Sequence, residues 1–364
     1  MSQEQKKLIL VIGATGAQGI AVIDALLAPG EDGAPSPYAV RALTRNPQSR
    51  RAQDLSAKGV ECVKGAFDDL PSVKQALRGA YGAWVNTDGF TVGEQKEIYA
   101  GLRIFELAKQ TDTLKHYVWS NLDYALKEGG YNPIYRCEHY DGEKTRGKGR
   151  VAEWMQEQPS EPSSDGMSWS VVTSGPYMQM LENGMFGPLG RRNDGTFVFA
   201  SPVGSGHVPM IALEDLGFFA RYTFDHRTET SGKDLKIASQ LVGWDELVAT
   251  FTRVTGQKAV FLPQTLDEWF DNFTNTDQPV ATERPFGDGS TTWKKNFCGW
   301  WALWRDDIVK RDMDWIRKVN PKCKNIETWM REHRYTGQLR KDVLKIQEDG
   351  SSAIGPNVAR ISKL

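Results

Sequence analysis

The chain has little of what marks several large classes of protein. Cysteine is scarce, four in 364 residues, and Cys62, Cys137, Cys298 and Cys323 lie far apart without a CxxC pair. That spacing excludes a disulfide framework and a structural zinc site, and it predicts reduced thiols in an intracellular protein. The first residues lack the basic-then-apolar make-up of a secretory signal. No apolar run approaches the ~18 residues that a membrane-spanning helix needs. Charge of one sign is missing too, because 45 Lys and Arg offset 46 Asp and Glu. The basic residues are dispersed and form no tract with interleaved aromatics, so neither nucleic acid nor a membrane is an expected partner. No repeat recurs at a fixed period.

What is present begins at once. Lys7-Leu8-Ile9-Leu10-Val11-Ile12 is a short apolar run, and it turns directly into glycines spaced three apart, Gly13, Gly16 and Gly19. Ile20 to Leu27 then reads as a helix. Strand, tight turn and helix start are the context in which such glycines signify a dinucleotide site. Gly13 allows the turn, Gly16 the close approach of a pyrophosphate, and Gly19 the seating of the helix on the sheet. The candidate cofactor-binding segment is therefore Gly13, Thr15, Gly16, Ala17, Gln18 and Gly19, with phosphates at the free amides of the helix start.

The second strand, Tyr38 to Arg45, ends in arginine where an NAD-specific site places a carboxylate for the ribose hydroxyls. A guanidinium there offers a 2′-phosphate a charge-assisted, bidentate contact, so Arg45 selects NADP(H) as the expected cofactor. Arg50 and Arg51 follow at the start of the next helix and add positive charge.

Further on, strands are expected at Glu61–Lys64, Ala83–Asn86, Lys115–Ser120 and Met167–Thr173. Helices are expected at Ser72–Leu77, Glu94–Thr111 and within Gly149–Gln158, the long one with Ile98, Leu102, Phe105, Leu107 and Ala108 apolar. This alternation predicts an α/β fold of Rossmann type, a parallel sheet with helices on both faces. Ligands bind beyond the carboxyl ends of such strands, which places Asn86, Thr87, Ser120 and Thr173 to Tyr177 near the cofactor. The expected organisation is an NADP-binding core over 1–175, to which later segments return, and a smaller, mainly helical substrate and C-terminal region over 176–345. A flexible tail covers 346–364. Six of the twelve tryptophans fall after residue 290. They predict an appended core layer, or alternatively an aromatic wall for a planar substrate.

These pieces together resemble the NmrA-like, atypical branch of the short-chain dehydrogenases/reductases, in a fungal version. The resemblance is carried by Gly13 to Gly19, Thr44-Arg45-Asn46-Pro47, Tyr117-Val118-Trp119-Ser120, His139-Tyr140-Asp141-Gly142 with Lys148-Gly149, and Val208-Pro209-Met210 leading to Asp215-Leu216-Gly217. It spans most of residues 7–260. It implies a 2′-phosphate role for Arg45, a place beside the nicotinamide ribose for Thr87 and Ser120, and Lys148 at the start of a helix pointing into the active site. Pro176, Tyr177 and Met178 would line the substrate side. The family contains reductases of small aromatic or quinone-like compounds and also NADP-sensing regulators with little turnover. Two departures stand out. Gly65-Ala66 replaces the usual Gly-Asp, leaving Asp68 or Asp69 as a substitute at the adenine. Four extra residues precede the expected lysine, so it is Lys144 or Lys148.

That insertion creates Tyr140-Asp141-Gly142-Glu143-Lys144, a Tyr-x-x-x-Lys pattern. On a helix these two residues share a face, and an ammonium there lowers the tyrosine pKa toward a usable acid. Glycines at 142, 147 and 149 oppose a continuous helix, and in that case Lys148 is the working cation. The candidate catalytic residues are thus Lys148, Tyr140, Lys144 and Ser120. Hydride would pass from NADPH to a small-molecule carbonyl, quinone or activated double bond. An NADP-binding sensor is the alternative. Finally, Ser362-Lys363-Leu364 matches the tripeptide read by the peroxisomal import receptor, so a peroxisomal location is expected, with the cytoplasm as alternative.

Overall fold

The computed structural model of the chain describes residues 5–137, 147–340, 342–345 and 354–364. The apolar run at the start forms β1 (Lys7–Ile12), whose last four residues are buried. A strand covered on both faces must be apolar without alternation, and β1 sits near the middle of the sheet. After it come α1 (Ala17–Leu27), β2 (Tyr38–Thr44), α2 (Arg50–Ala57), β3 (Glu61–Lys64), α3 (Leu70–Leu77) and β4 (Gly82–Val85). Two helices, α4 (Gly89–Val92) and α5 (Glu94–Lys109), lead to β5 (His116–Leu122). The short α6 (Ala125–Glu128), then α7 (Gly147–Gln156) and β6 (Ser168–Ser174) complete the first part.

The sheet runs in the order β3-β2-β1-β4-β5-β6 and is extended at its far edge by a strand at Asp234–Lys236, all parallel. The order reverses between β1 and β4, and a crevice opens there beyond the carboxyl ends of the strands. One face carries α1, α2 and a helix at Leu213–Asp225, packed through Val22, Ile23, Leu26, Leu55, Phe219 and Phe224. The opposite face carries α3, α5 and α7, through Val73, Leu77, Ile104, Phe105, Val151 and Met155. The Rossmann architecture expected from the alternation is the architecture found, with a smaller, largely helical region after it.

The helix at Leu213–Asp225 is the main element that the sequence reading passed over. Its buried Leu216, Phe219, Ala220 and Phe224 recur at helical spacing, the pattern that identifies a core-facing stripe.

The later region has its own core of Phe186, Phe199, Trp244, Phe251, Trp269, Trp301 and Trp329. A buried ion pair ties it to the sheet: Arg311 Nη1 and Nη2 lie 2.9 and 2.7 Å from the two carboxylate oxygens of Asp123, just past β5. Arg311 is fully buried and also donates to the carbonyl of Ile237 at 3.1 Å.

The expected flexible tail needs correction over its described part. Gly355–Pro356 pairs antiparallel with Phe273–Thr274, and the Asn357 amide donates to the Asn272 carbonyl at 2.8 Å. A helical turn follows at Val358–Ile361, and Arg192 Nε donates to the Leu364 carbonyl at 3.0 Å. Backbone pairing and a side-chain cap order this segment. Neither leaves a hydrophobic stripe in the sequence. Residues 346–353 lie outside the described residues. Among the described residues no helix is long and apolar enough to cross a membrane.

Candidate active site

A cavity of about 790 Å³ opens over the carboxyl ends of the strands and extends into the later region. At one end lies the glycine turn. Gly13 has φ +80°, and a Cβ there would stand 2.7 Å from the Asn86 carbonyl oxygen. A Cβ on Gly19 would stand only 2.2 Å from the Gly13 carbonyl oxygen, so α1 could not sit where it does with any larger residue. Gly16 precedes α1 without a side-chain cap, which leaves the first-turn amides facing the cavity wall that Gly16, Ala17 and Gln18 form.

Arg45, exposed at the end of β2, lines the same end of the cavity, as do Gly65, Ala66 and Asp68. Asp69 instead begins α3 as its N-cap residue, so of the two candidate substitutes Asp68 is the one at the cavity. Arg51 turns inward: its Nη1 donates to the Thr15 carbonyl at 3.1 Å and its Nη2 to the Asp342 carbonyl at 2.7 Å. It therefore braces the turn. A glycine turn with no room for a Cβ at Gly13 or Gly19, an uncapped helix start and a guanidinium at the second strand fit an NADP(H) dinucleotide.

At the strand ends next to this cradle stand Asn86, Thr87, Ser120 and Lys148. Ser120 is buried and its hydroxyl donates to Gln18 Oε1 at 2.7 Å, so two expected site residues hold each other and pin α1 to β5. Lys148 lies in the first turn of α7, and its ammonium donates to Asn86 Oδ1. The ring of Trp119 lies beneath that ammonium, 6.0 Å from centroid to nitrogen. Burial pulls the Lys148 pKa down, opposed by the charges of Glu97 and Asp88.

Glu97 is the residue that sequence reasoning missed. Its buried Oε1 accepts from Thr87 Oγ1 at 2.7 Å and from the Gly89 amide at 3.0 Å. Burial raises its pKa, and the nearby Lys148 ammonium and the Thr87 hydrogen bond only partly offset this. The signal was available: Glu97 falls on the same face of α5 as the buried Gly101, Ile104 and Ala108, and a carboxylate on an apolar face is a marker of function.

Of the three expected substrate-side residues, Pro176 and Tyr177 line the cavity. Burial, and then the charge of Asp88, push the Tyr177 phenol up to about 12, so it stays a hydrogen-bond donor at neutral pH. Met178 is corrected: it is fully buried in the later core, and Met180 reaches the cavity in its place. The 3₁₀ turn at Met178–Glu182 rotates successive side chains by about a third of a turn and so directs Met178 inward. Tyr140, Lys144 and His139 lie outside the described residues.

Beyond Lys148 the cavity wall becomes aromatic, with Phe90, Trp293, Phe297, Trp300 and Trp304. Phe90 and Phe297 stack at 6.3 Å, and Trp300 stacks on Trp304 at 5.7 Å. The helix at Trp293–Arg305 thus serves both roles weighed for the late tryptophans. Trp301 faces the core, Trp293 and Trp300 face the cavity, and the buried Trp304 borders both. Among the described residues no cluster of His, Cys, Asp and Glu is arranged to hold a metal ion.

Fold and site define a Rossmann-type dinucleotide-binding protein with a deep apolar annex. The chain belongs to the NmrA-like family, whose model matches residues 5–283. It is similar to the NmrA-like family domain-containing oxidoreductase hkm9 of Aspergillus hancockii, with 29% identity over 304 residues, 79% of this chain and 83% of that one. Among solved structures it resembles NmrA, a negative transcriptional regulator, in complex with NADP (TM-score 0.65, 18% identity, 96% of this chain and 98% of that one). It also resembles an NADPH-dependent quinone oxidoreductase of Escherichia coli in complex with NADPH (TM-score 0.61, 16% identity, 90% of this chain and all of that one). At these identities the structures share the fold.

Proposed function

We propose that this protein is an NADPH-dependent reductase of a small aromatic or polyketide-like carbonyl, quinone or conjugated alkene. The observation that carries the reading is the junction at Lys148. There a partly desolvated lysine amine and a buried carboxyl group stand between the dinucleotide cradle and an aromatic annex. The relatives named as oxidoreductases support it.

Bound NADPH would supply the hydride. Arg45 and the first-turn amides of α1 hold its phosphates, and Asn86 and Thr87 line the strand ends beside its ribose. Tyr177 and the aromatic wall orient a flat substrate and exclude water. Lys148 donates the proton that accompanies the hydride to the substrate oxygen, and burial, by lowering its pKa, makes it a better acid. Glu97, whose pKa burial raises and which lines the same junction, is placed to relay a proton to Lys148. Tyr140 with Lys144 is the other acid that the sequence pattern supports.

A second reading, an NADP-binding sensor that changes its partner contacts without turnover, is favoured by the likeness to the NmrA regulator, and the solved structures weigh on its side. Following NADPH oxidation across a panel of quinones and aromatic carbonyls separates the two. Turnover that disappears on replacing Lys148, Tyr140 and Lys144 is the expected result. Turnover that survives all three replacements refutes the assigned chemistry. No turnover, together with NADP-dependent capture of a partner, favours the sensor.

The peroxisomal address is proposed from Ser362-Lys363-Leu364. A fluorescent protein carrying the last dozen residues should enter peroxisomes, and losing Leu364 should leave it diffuse.

A further inference from the structure

The cofactor cradle has a wall that neither the glycine motif nor the β2 arginine announces. Residues 342–345 cross the glycine turn from the far end of the chain. The Asp342 carbonyl is held by Arg51, the same guanidinium whose other arm holds the Thr15 carbonyl. One arginine thus fastens the late segment to the turn. Val343 beside it is buried, and Leu344 and Lys345 line the cavity together with Thr15, Gly16 and Ala17. Lys345 Nζ stands 3.4 Å from Thr15 Oγ1.

An ammonium at that hydroxyl brings a cation to the place where the uncapped start of α1 already favours an anion. Arg45 lines the same end of the cavity. Two cations from opposite ends of the sequence therefore flank one phosphate-binding turn.

We propose that Lys345 is a phosphate ligand of the bound dinucleotide, and that residues 342–345 form the outer wall of the cofactor site. The inference rests on the dinucleotide reading of the glycine turn and goes beyond it, since it assigns a binding residue some 300 positions away from the motif. The phosphate chemistry has two sources on one ligand, the pyrophosphate common to NAD and NADP and the 2′-phosphate of NADP alone.

The test is titration of the full-length protein with NADP and with NAD, wild type against Lys345→Gln and Lys345→Arg. Losing a charge-assisted contact of this kind weakens binding by about tenfold or more. A rise in the NADP Kd alone places Lys345 on the 2′-phosphate, and an equal rise for both nucleotides places it on the pyrophosphate. Lys345→Arg should recover most of the affinity in either case. Wild-type Kd values for both nucleotides in Lys345→Gln overturn the inference while leaving the dinucleotide reading intact. Failure of the wild-type protein to bind either nucleotide overturns that reading itself.

A measurement on unaltered protein runs in parallel. Amide exchange at 343–345 should slow when NADP saturates the site, and an unchanged rate there counts against the proposed wall.

Discussion

Replacing Arg311 by Met tests how the later region is held over the strand ends. The wild-type guanidinium is fully buried and makes two bonds to Asp123, at 2.9 and 2.7 Å. Methionine fills much of the same volume but leaves the Asp123 carboxylate buried without a counter-charge, which costs about 3–5 kcal/mol. The bond to the Ile237 carbonyl is lost as well, at about 1 kcal/mol. A loss of about 4–6 kcal/mol is a large fraction of the ~5–15 kcal/mol that stabilises a typical fold. The double replacement Arg311→Met with Asp123→Leu removes the stranded charge and should recover all but about 1–2 kcal/mol.

Urea unfolding of the wild type, both single variants and the double variant gives the four free energies of the cycle. Because the pair is buried, the penalty of Arg311→Met should persist in about 0.5 M salt, which screens only exposed charges. A penalty below about 1 kcal/mol for Arg311→Met would refute the reasoning, and so would a double variant as unstable as the sum of the singles.

Other outcomes follow from the site. Arg45→Ala should weaken NADP binding by more than about tenfold and leave NAD binding nearly unchanged, since about 1.5–3 kcal/mol goes with a charged phosphate contact; equal loss for both nucleotides contradicts the 2′-phosphate role. Glu97 has a folded-state pKa raised above its ordinary 4.5, so the folded protein binds the proton more tightly than the unfolded chain. Stability from this group is complete below pH 4.5 and declines as pH rises from there through the raised value. Glu97→Gln keeps an acceptor for Thr87 and Gly89 and should flatten that decline, so its stability relative to wild type should grow in urea titrations as pH rises above 4.5. Trp300→Ala should raise KM for an aromatic quinone by up to about tenfold and spare the NADPH Kd, because one stacked ring contributes about 0.5–1.5 kcal/mol; an equal effect on NADPH would place the annex wrongly.

The sequence by itself determined the parts of this protein governed by local chain geometry. The apolar run of β1 followed by Gly13, Gly16 and Gly19 specified strand, turn and helix, because the conformation at Gly13 and the close contacts at Gly13 and Gly19 require glycine. Helical and strand periods likewise marked the alternation through β6, and the arginine at the end of β2 lies at the cavity end where the sequence pattern expected it. What the sequence left open depended on partners far away in the chain. Glu97 became a buried acid only when Thr87, Gly89 and Lys148 closed around it. Ser120, expected beside the nicotinamide ribose, lines the cavity and is held by Gln18 across 102 positions. Met180 took the place at the cavity expected of Met178 through one 3₁₀ turn, and the segment 354–364 was ordered by pairing with Phe273–Thr274 and not by any apolar face of its own. Arg311 with Asp123 and Lys345 with Thr15 are contacts over 188 and 330 positions. Such contacts carry no period and no spacing, since they arise from the packing of whole elements, and only the tertiary structure decided them.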